Sequence, residues 1–374
     1  MQRTGIVDLP LHTGHAPSWL FERMVKLSQA ISEIIIIEHG KKEFMKRLSN
    51  PFWFQSFSCA IGFDWHSSGT TTTSCGALKL ALQKNDLGVK IAGGKGKNAR
   101  NIEKEILSSN LSLSDKKIEK LKHASKMAAK VDTACVQDGY KLYHQVIIFD
   151  DSGDWSIIQQ GMDDSYARRY HWLSEKVSSF VDEPHYGIIG DKFEDKVLDT
   201  TSKENKKIRK ASVDLVKDNP SRLVKYMPQK TLLEFSSKSF LMPKHHEIRI
   251  EELSKDTLDF LKKAYEFQPK NYEELVALNG CGPAKIRSLA LLAQVLFGEE
   301  IKWKDPLKYT FAHGGKDGHP YPVDRNTYDE SIEFLRDAIK QAKLNDFEKM
   351  NALKRLEKLF ELLSIVWNIF SLIC

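Results

Sequence analysis

The sequence predicts an α+β protein: a mixed N-terminal α/β domain over residues 1–200, followed by a mainly helical domain over residues 201–374. Three observations support this class. The chain has 374 residues, of which 41% are hydrophobic, and this is enough for packed cores in more than one domain. Runs of β-branched residues bounded by glycine alternate with helical spacings in the first half. After Asp199 the chain becomes rich in lysine, and helical spacing of apolar residues prevails.

Two helices are predicted in the N-terminal domain. The segment "SWLFERMVKLSQAISEIIIIEHG" has apolar residues at helical spacing and predicts one helix that Gly40 ends. The segment "SDKKIEKLKHASKMAAKVDTACVQDGYKLYH" predicts a long amphipathic helix with a break near Val131.

Strands are predicted on either side of that second helix. The segment "LGVKIAGG" is typical of a buried strand that runs into a glycine turn. The segment "HQVIIFDDSGDWSIIQQGM" predicts a β-hairpin whose turn is formed by Ser152 and Gly153.

The C-terminal domain is predicted to be helical with one long exception. Its first helix lies in "TSKENKKIRKASVDLVKDNPSRLVKYM", with Thr201 or Ser202 as the N-terminal cap. Residues 302–331 are rich in Gly, Pro, Asp and aromatics, which predicts a polar loop. Ordered loops of this length are usually functional or are wrapped over another domain.

The overall charge is compatible with a nucleic-acid partner but does not require one. The chain has 56 Lys and Arg against 50 Asp and Glu, a formal net charge of +6. Residues 79–130 contain 13 basic and 5 acidic side chains, whereas residues 131–200 contain 6 basic and 14 acidic ones. This segregation predicts a surface with separate positive and negative zones, although solvated helix faces also produce charge runs.

The cysteines and the apolar C-terminal segment indicate the subcellular location of the protein. The five cysteines share no CxxC spacing, which argues against a disulfide framework or a zinc ribbon and favours the reducing cytoplasm. The apolar C-terminal segment "LFELLSIVWNIFSLIC" is short and interrupted by polar residues. We therefore expect a cytoplasmic protein without a membrane partner.

A glycine corner in residues 272–298 is the most informative local pattern. It predicts a short helix, a tight turn, and a second helix that begins at Pro283, where a missing N–H costs nothing. Gly280 and Gly282 have no Cβ, so they permit backbone angles and a close approach of a ligand to the turn that other residues would prevent. The free amide groups and the dipole of the second helix then form a site for a phosphate. The alternative is an ordinary Gly-Pro turn between two helices.

This corner resembles the helix-hairpin-helix motif of DNA repair proteins, with its apolar-x-Gly-apolar-Gly pattern. The matching residues are Leu278, Gly280, Cys281 and Gly282. The resemblance implies DNA as the partner, bound through its phosphate backbone and therefore without sequence information. Lys285 and Arg287 follow the corner closely and are expected to add charge-assisted contacts.

The glycosylase branch of that superfamily has a catalytic Lys two residues after the second glycine. Here Ala284 occupies that position and Lys285 lies one place later, which argues against a glycosylase of that branch. A lyase or glycosylase that acts through Lys285 or Lys316 stays open as an alternative.

Several histidines and one aspartate are candidates for metal-dependent hydrolysis. Asp64 and His66 precede a hydroxyl-rich segment, Ser67 to Thr73, which is expected to form a loop that opens a helix. We expect Asp64, His66, His144 and His171 to be catalytic, and His12, Asp64 and His66 to bind Mg²⁺ or Mn²⁺. The alternatives are a capped helix for the first segment and a structural role for each histidine.

Three further segments offer basic residues to a nucleic acid. The segment "AGGKGKNAR" presents Lys95 and Lys97 but lacks the spacing of an ATP-binding loop. The segment "ARRYHW" interleaves Arg168 and Arg169 with aromatics, a combination that suits phosphates and bases. Lys316 lies in the polar loop after the glycine corner.

A wider resemblance covers about residues 3–345. It is carried by "GIVDLPLHTGHAPSWLFERM", "PFWFQSFSCAIGFDWHSSGTTTTSCGALK", "IAGGKGKNAR", "ARRYHW" and "DPLKYTFAHGGKDGHPYPVDRNTYDESIEFLRDAI". The chain resembles the uncharacterised, mainly archaeal family known as domain of unknown function 763. This resemblance implies a helix-hairpin-helix protein and assigns no reaction.

The function expected from the sequence is therefore phosphate-backbone binding to DNA in repair or processing, with metal-dependent nuclease activity. Two alternative functions stay open. The first is a non-enzymatic, structure-selective DNA-binding factor, and the second is a DNA glycosylase or lyase.

Overall fold

A six-stranded β-sheet lies between two layers of helices in the computed structural model. The structure describes residues 16–63, 68–84, 86–164, 166–190, 193–220, 255–307, 309–310 and 325–357. An N-terminal α/β region is followed by a helical region, so the predicted α+β class is confirmed. Nowhere in the described ranges is a helix both long and apolar enough to cross a membrane.

The described helices, numbered in chain order, are α1 Ser18–Ser49, α2 Pro51–Ile61, α3 Ser68–Lys84, α4 Ile102–Leu107, α5 Asp115–Lys130, α6 Lys206–Lys217, α7 Lys255–Phe267, α8 Tyr272–Ala277, α9 Pro283–Phe297 and α10 Arg325–Gln341. A 3-10 helix spans Gly96–Asn101, and one turn of π-helix, Val131–Cys135, extends α5. Residues 346–357 are also helical.

The strands are β1 Val89–Lys95, β2 Val136–Gln137, β3 Lys141–Asp150, β4 Trp155–Met162, β5 Ala167–Leu173, β6 Gly187–Gly190, β7 Leu198–Asp199 and β8 Tyr309–Thr310. The main sheet has the order β1-β3-β4-β5-β6-β8, in which β8 pairs parallel to β6 and the other pairs are antiparallel. Strands β2 and β7 form a separate two-stranded ladder.

Both faces of the sheet are buried because side chains alternate along each strand. Val146, Ile148 and Ile158 pack with α1, α2 and α3, whereas Ile147 and Phe149 pack with α5, α6 and α9. The central strands are therefore covered on both sides, and their polar residues are enclosed together with the apolar ones.

The two cores cross the boundary that the sequence predicts between residues 200 and 201. Ile286 and Leu289 of α9 belong to the same core as Ile147 of the sheet. Leu335 and Ile339 of α10 belong to the core that α1 and α2 form. The described residues after 200 thus contribute to both helical layers.

Several sequence-based boundaries are confirmed. Gly40, the predicted end of the first helix, has a non-helical φ of 85° and kinks α1, which continues beyond it to Ser49. The predicted hairpin is β3–β4, and Gly153 has φ 84° in its turn. Ser202 caps the 3-10 turn before α6 by accepting a hydrogen bond from the amide of Asn205.

Other boundaries differ from the prediction. The predicted break near Val131 is present, because α5 ends at Lys130 and a π-helical turn follows it, but the helix does not continue beyond Cys135, where the chain enters β2. The hydroxyl-rich residues 68–73 lie inside α3 and do not form a loop; Thr70 and Thr71 are buried there. The polar loop predicted over residues 302–331 contains β8, and α10 begins within it at Arg325. Residues 311–324 lie outside the described residues.

A buried ion network ties the segment before β8 to the sheet. Arg168 on β5 has no exposed surface and donates two hydrogen bonds of 2.8 Å to the carboxylate of Asp305. Its guanidinium also donates to Asp138 at 3.1 Å. Asp305 in turn accepts from the amides of Glu194 and Leu307. Burial raises the pKa of Asp138 to about 6, and the charge of Arg168 opposes that rise.

This network generates a stability prediction. Arg168→Met leaves two buried carboxylates without their cation, so we expect the free energy of unfolding at pH 7 to fall by about 3–5 kcal/mol. The loss should be smaller at pH 5. The folded-state pKa of Asp138 is already above the unfolded value and rises further without Arg168, so the penalty grows as pH rises through this range.

Urea unfolding at the two pH values measures the effect. The control is Lys203→Met, which removes an exposed ion pair with Glu183 and is expected to leave stability unchanged. A loss for Arg168→Met that is equal at both pH values would contradict the buried-charge explanation.

Candidate functional site

The glycine corner joins α8 to α9 through residues 278–282. The side chain of Asn271 caps α8 by accepting from the amide of Glu274, and the amide of Cys281 donates to the carbonyl of Leu278 at 3.1 Å. Gly280 has φ 89°, a conformation that side chains rarely adopt, so glycine is required in this turn. Pro283 is the first residue of α9, where its ring fits the helix.

The beginning of α9 is open. The first intrahelical hydrogen bond runs from the amide of Ile286 to the carbonyl of Gly282 at 3.1 Å. Within the described ranges, the amides of Gly282, Ala284 and Lys285 have no hydrogen-bond acceptor. A Cβ built on Gly282 would meet no atom within 4 Å. These amide groups, at the positive end of a 15-residue helix, are therefore accessible to an anion.

Cys281 has a different role from the two glycines. Its side chain is 4% exposed and belongs to the core beneath the turn, and burial raises the pKa of its thiol to about 12. The thiol therefore stays protonated and anchors the corner by packing.

A cleft of about 440 Å³ lies beside the open end of α9. It is bounded by three elements: the corner itself, the 3-10 helix with the start of α4, and the C-terminal half of α5. Four basic residues and one acidic residue line it. The lining residues are Ala99, Arg100, Ile102, Glu103, Lys122, Ser125, Lys126, Ala129, Lys130, Thr133, Ala134, Gln145, Cys281, Gly282 and Pro283.

Helix α5 supplies three of the four cations. Lys122, Lys126 and Lys130 follow one another at intervals of four residues, which places them on one face of the helix. Lys126 is exposed, whereas Lys122 pairs with Glu119 at 2.8 Å. The charges therefore form a row that leads to the corner.

Lys130 holds the corner in place. Its ammonium group donates to the carbonyls of Val276, in the last turn of α8, and of Leu278, the residue after α8, at 2.7 and 2.5 Å. Burial lowers its pKa. Lys130 thus connects α5 to α8 and fixes the distance between the row of lysines and the open amides.

Arg100 reaches the cleft from the other side, on the 3-10 helix that follows β1. Gly93, which precedes this helix, serves packing: it has φ 99°, and a Cβ there would collide with the carbonyl oxygen of Gln145. Lys95 and Lys97 are exposed on the same segment, and the ammonium of Lys95 lies 5.8 Å from the ring of Tyr143. The basic segment predicted from the sequence therefore adjoins the predicted corner.

Two enclosed polar side chains form the floor of the cleft. Gln145 is 8% exposed and Ser125 is 7% exposed. The amide nitrogen of Gln145 donates to the carbonyl and the hydroxyl of Ser125, at 2.8 and 3.1 Å. Among the described residues nothing donates to the Oε1 atom of Gln145, and the Ser125 hydroxyl proton has no acceptor. The floor therefore offers one acceptor and one donor.

A buried cluster beneath the cleft positions the π-helical turn that contributes Thr133 and Ala134. Asp132, in that turn, accepts from Gln159 at 2.5 Å, from Trp172 at 3.0 Å, and contacts His185 at 2.5 Å. Burial raises the pKa of Asp132, and His185 opposes the rise. This cluster attaches the end of α5 to the sheet.

Three arginines predicted to contact nucleic acid are enclosed, and we correct their roles. Arg168 is held by Asp138 and Asp305, as described above. Arg169 is 3% exposed and donates to the Nε2 atom of His171 at 2.9 Å. Arg287 is 9% exposed and donates to Gln137 at 3.3 Å. All three guanidinium groups bond inside the protein, because β5 and the inner side of α9 face packed layers.

Two of the three histidines predicted to be catalytic are also buried. His144 on β3 is 2% exposed, and burial lowers its pKa to about 3. His171 on β5 has no exposed surface, and burial lowers its pKa well below the usual value. His171 accepts from Arg169 and its Nδ1 atom lies 3.2 Å from the carbonyl of Leu48, so the neutral ring has both nitrogens bonded. Both rings are thus enclosed by the described residues.

The remaining predicted site residues cannot be placed. His12, Asp64, His66 and Lys316 lie outside the described residues. In the ranges that are described, no three His, Cys, Asp or Glu side chains cluster as metal ligands. The structure thus brings the corner and the segment that contains Lys97 to one cleft, whereas His144, which pairs in register with Lys95 across β1 and β3, and His171 are buried.

The α5 lysines and Arg100 were not selected from the sequence as site residues. A signal was present, because the interval of four residues in "KLKHASKMAAK" puts three cations on one face. Only the packing of α5 against the corner distinguishes this face from an ordinary solvated one.

The contrast between Lys130 and Lys126 is testable. Lys130→Met removes two hydrogen bonds from a charged donor, and we expect the free energy of unfolding to fall by about 1–3 kcal/mol. Lys126→Met changes an exposed residue of the same helix and should leave it unchanged. Urea unfolding of both variants decides the matter, and equal stability of the two would refute the anchoring role of Lys130.

Comparison with known proteins identifies the family of this chain. No curated protein and no solved structure matches it. The family model described as Protein of unknown function (DUF763) matches residues 5–323. This match spans most of the chain, from the N-terminal helical layer through the sheet and the glycine corner, and the chain therefore belongs to the DUF763 family.

Proposed function

We propose that this protein binds DNA through the phosphate backbone, at the open end of α9 and the adjoining basic cleft. The observation that carries the proposal is the proximity of two independent anion-binding features. Unbonded amides at the start of a long helix lie beside a cleft lined by Arg100, Lys122, Lys126 and Lys130. Either feature alone is common; together they favour a polyanion.

The proposed element is a helix-hairpin-helix formed by α8, the turn at 278–282, and α9. The turn geometry supports this assignment, because Gly280 has a positive φ and Gly282 leaves space above the amides. One phosphate would accept hydrogen bonds from the amides of Gly282, Ala284 and Lys285. The helix dipole adds a favourable partial charge at that point.

The side chains extend this contact along the strand. Lys285 lies in the first turn of α9, and the α5 lysines continue the positive surface from the corner. Charge-assisted hydrogen bonds to phosphate oxygens are stronger than neutral ones. Because all of these groups meet the backbone, the proposed binding is independent of base sequence.

The proposal favours a structure-selective DNA-binding factor in DNA repair or processing. We restrict it to binding, because His144 and His171 are enclosed and do not reach a polymer. Incubation of DNA with Mg²⁺ or Mn²⁺, with an EDTA control, tests separately whether the chain also hydrolyses the bound strand.

Substitution of the corner glycines tests the binding site. Gly282 has φ −123°, which any residue adopts, and Gly282→Ala meets no neighbouring atom, so we expect an unchanged fold. The added methyl group occupies the space that a phosphate would enter. We expect DNA affinity to fall about tenfold, equally for unrelated sequences, as measured by fluorescence anisotropy.

Gly280→Ala and Gly298→Ala form a matched pair for the second glycine. Both positions have a positive φ, 89° and 69°, and a Cβ at either has no close contact. Both variants should therefore lose about 1 kcal/mol of stability through backbone strain. Only Gly280→Ala should lose DNA affinity. Unchanged affinity in both Gly280→Ala and Gly282→Ala would overturn the proposed site.

A further inference from the structure

We infer that the cleft beside the corner receives one terminal nucleotide of a DNA strand, and that its cationic rim recognises the phosphate monoester at the strand end. This inference rests on the proposed function and names the part of the DNA that the site selects. Four properties of the cleft carry it: its size, its charge, its polar floor and its walls.

The size of the cleft fits one nucleotide. Its volume of about 440 Å³ lies in the lower part of the range of about 300–1,000 Å³ that small-ligand sites occupy. A duplex is far too wide to enter it. A base can therefore enter the cleft only when it is unpaired, and a strand end provides one with the least unstacking.

The charge of the rim fits a terminal phosphate. An internal phosphodiester carries one negative charge, whereas a phosphate monoester carries about −1.5 to −2 at pH 7. Arg100, Lys122, Lys126 and Lys130 surround the cleft against a single acidic residue, Glu103. Lys126 and Arg100 are exposed on opposite sides of it. Lys122 is paired with Glu119, and Lys130 bonds two carbonyl groups. The two exposed cations are therefore the ones available to a phosphate, and they attract a dianion more strongly than a monoanion.

The floor of the cleft fits the edge of a base. The Oε1 atom of Gln145 is an acceptor without a donor among the described residues, and the hydroxyl of Ser125 is a donor beside it. Both side chains are more than nine-tenths buried. The Watson–Crick edge of each of the four bases carries a donor next to an acceptor, so this pair holds a base without selecting its identity.

The walls of the cleft fit the faces of a base. Ile102, Ala129 and Ala134 provide apolar surface on the inner side. The guanidinium of Arg100 provides a planar group of the kind that stacks on unpaired bases. The open amides of α9 lie at the edge of the same cleft, since Gly282 and Pro283 are among its lining residues. They would bind the next phosphate of the strand.

Binding of the full-length chain to short DNA with different ends tests the inference. Fluorescence anisotropy is measured with single strands and recessed duplexes that carry a 5′-phosphate, a 3′-phosphate, or hydroxyl groups at both ends. We expect one of the two phosphorylated ends to bind about tenfold more tightly than the hydroxyl end. An abasic terminal nucleotide with the same phosphate should lose several-fold of this affinity.

A pair of charge-matched variants assigns the preference to the cleft. Arg100→Gln with Lys126→Gln removes two exposed cations from the rim and should abolish the preference for the phosphorylated end. Lys26→Gln with Lys46→Gln removes two exposed cations from α1, in the opposite helical layer, and should retain it.

The outcomes separate the inference from the proposed function. If the chain binds phosphorylated and hydroxyl ends equally, the inference is wrong and the backbone-binding function stands. A preference that survives in the rim variant also overturns the inference. If no DNA binds at all, both are wrong. The phosphorylated end that is preferred, 5′ or 3′, gives the polarity of recognition.

Discussion

An α-helix begins with amide groups that its own carbonyls cannot bond, and the protein must satisfy them or leave them to water or a ligand. Helix α9 leaves them open. Pro283 removes one amide group, the carbonyl of Gly282 accepts the first intrahelical bond, and the amides at 282, 284 and 285 have no acceptor among the described residues. Three elements surround these open amides: α8, α5 and the 3-10 helix. Their positions determine which ligands can approach the amides.

The rest of the fold fixes those positions. Asp132 attaches the π-helical end of α5 to the sheet through Gln159, Trp172 and His185. Lys130 then ties α5 to the carbonyl groups that precede the corner. Cys281 packs the corner onto the shared core. The cations and the amides are thus held at a fixed separation before any ligand binds, which reduces the ordering cost of binding.

Local patterns in the sequence were sufficient for the elements that depend on local chemistry. The hairpin of β3 and β4, the break at Gly40, and the turn before α9 each follow from glycine, proline and the period of the apolar residues. The α+β class follows from the same periods. None of these predictions required knowledge of which elements meet in space.

The candidate site could not be predicted from local sequence patterns, because it depends on which elements meet in space. Arg168, Arg169 and His171 were predicted to be accessible because "ARRYHW" alternates polar and aromatic residues. The segment is an interior strand between β4 and β6, covered by helices on both faces, so its polar groups bond one another. Conversely, the α5 lysines have the pattern of a solvated helix face, and only the contact of α5 with the corner places them along a cleft.

The salt dependence of DNA affinity tests the central claim most directly. For a short duplex, the logarithm of the binding constant should fall linearly with the logarithm of the salt concentration, by about 0.9 for each phosphate that the protein neutralises. A variant with Gln in place of Arg100, Lys122 and Lys126 should bind more weakly with a slope that is shallower by about 2–3. A slope that is the same in both proteins, or affinity that does not respond to salt, would contradict a cationic cleft at the open end of α9.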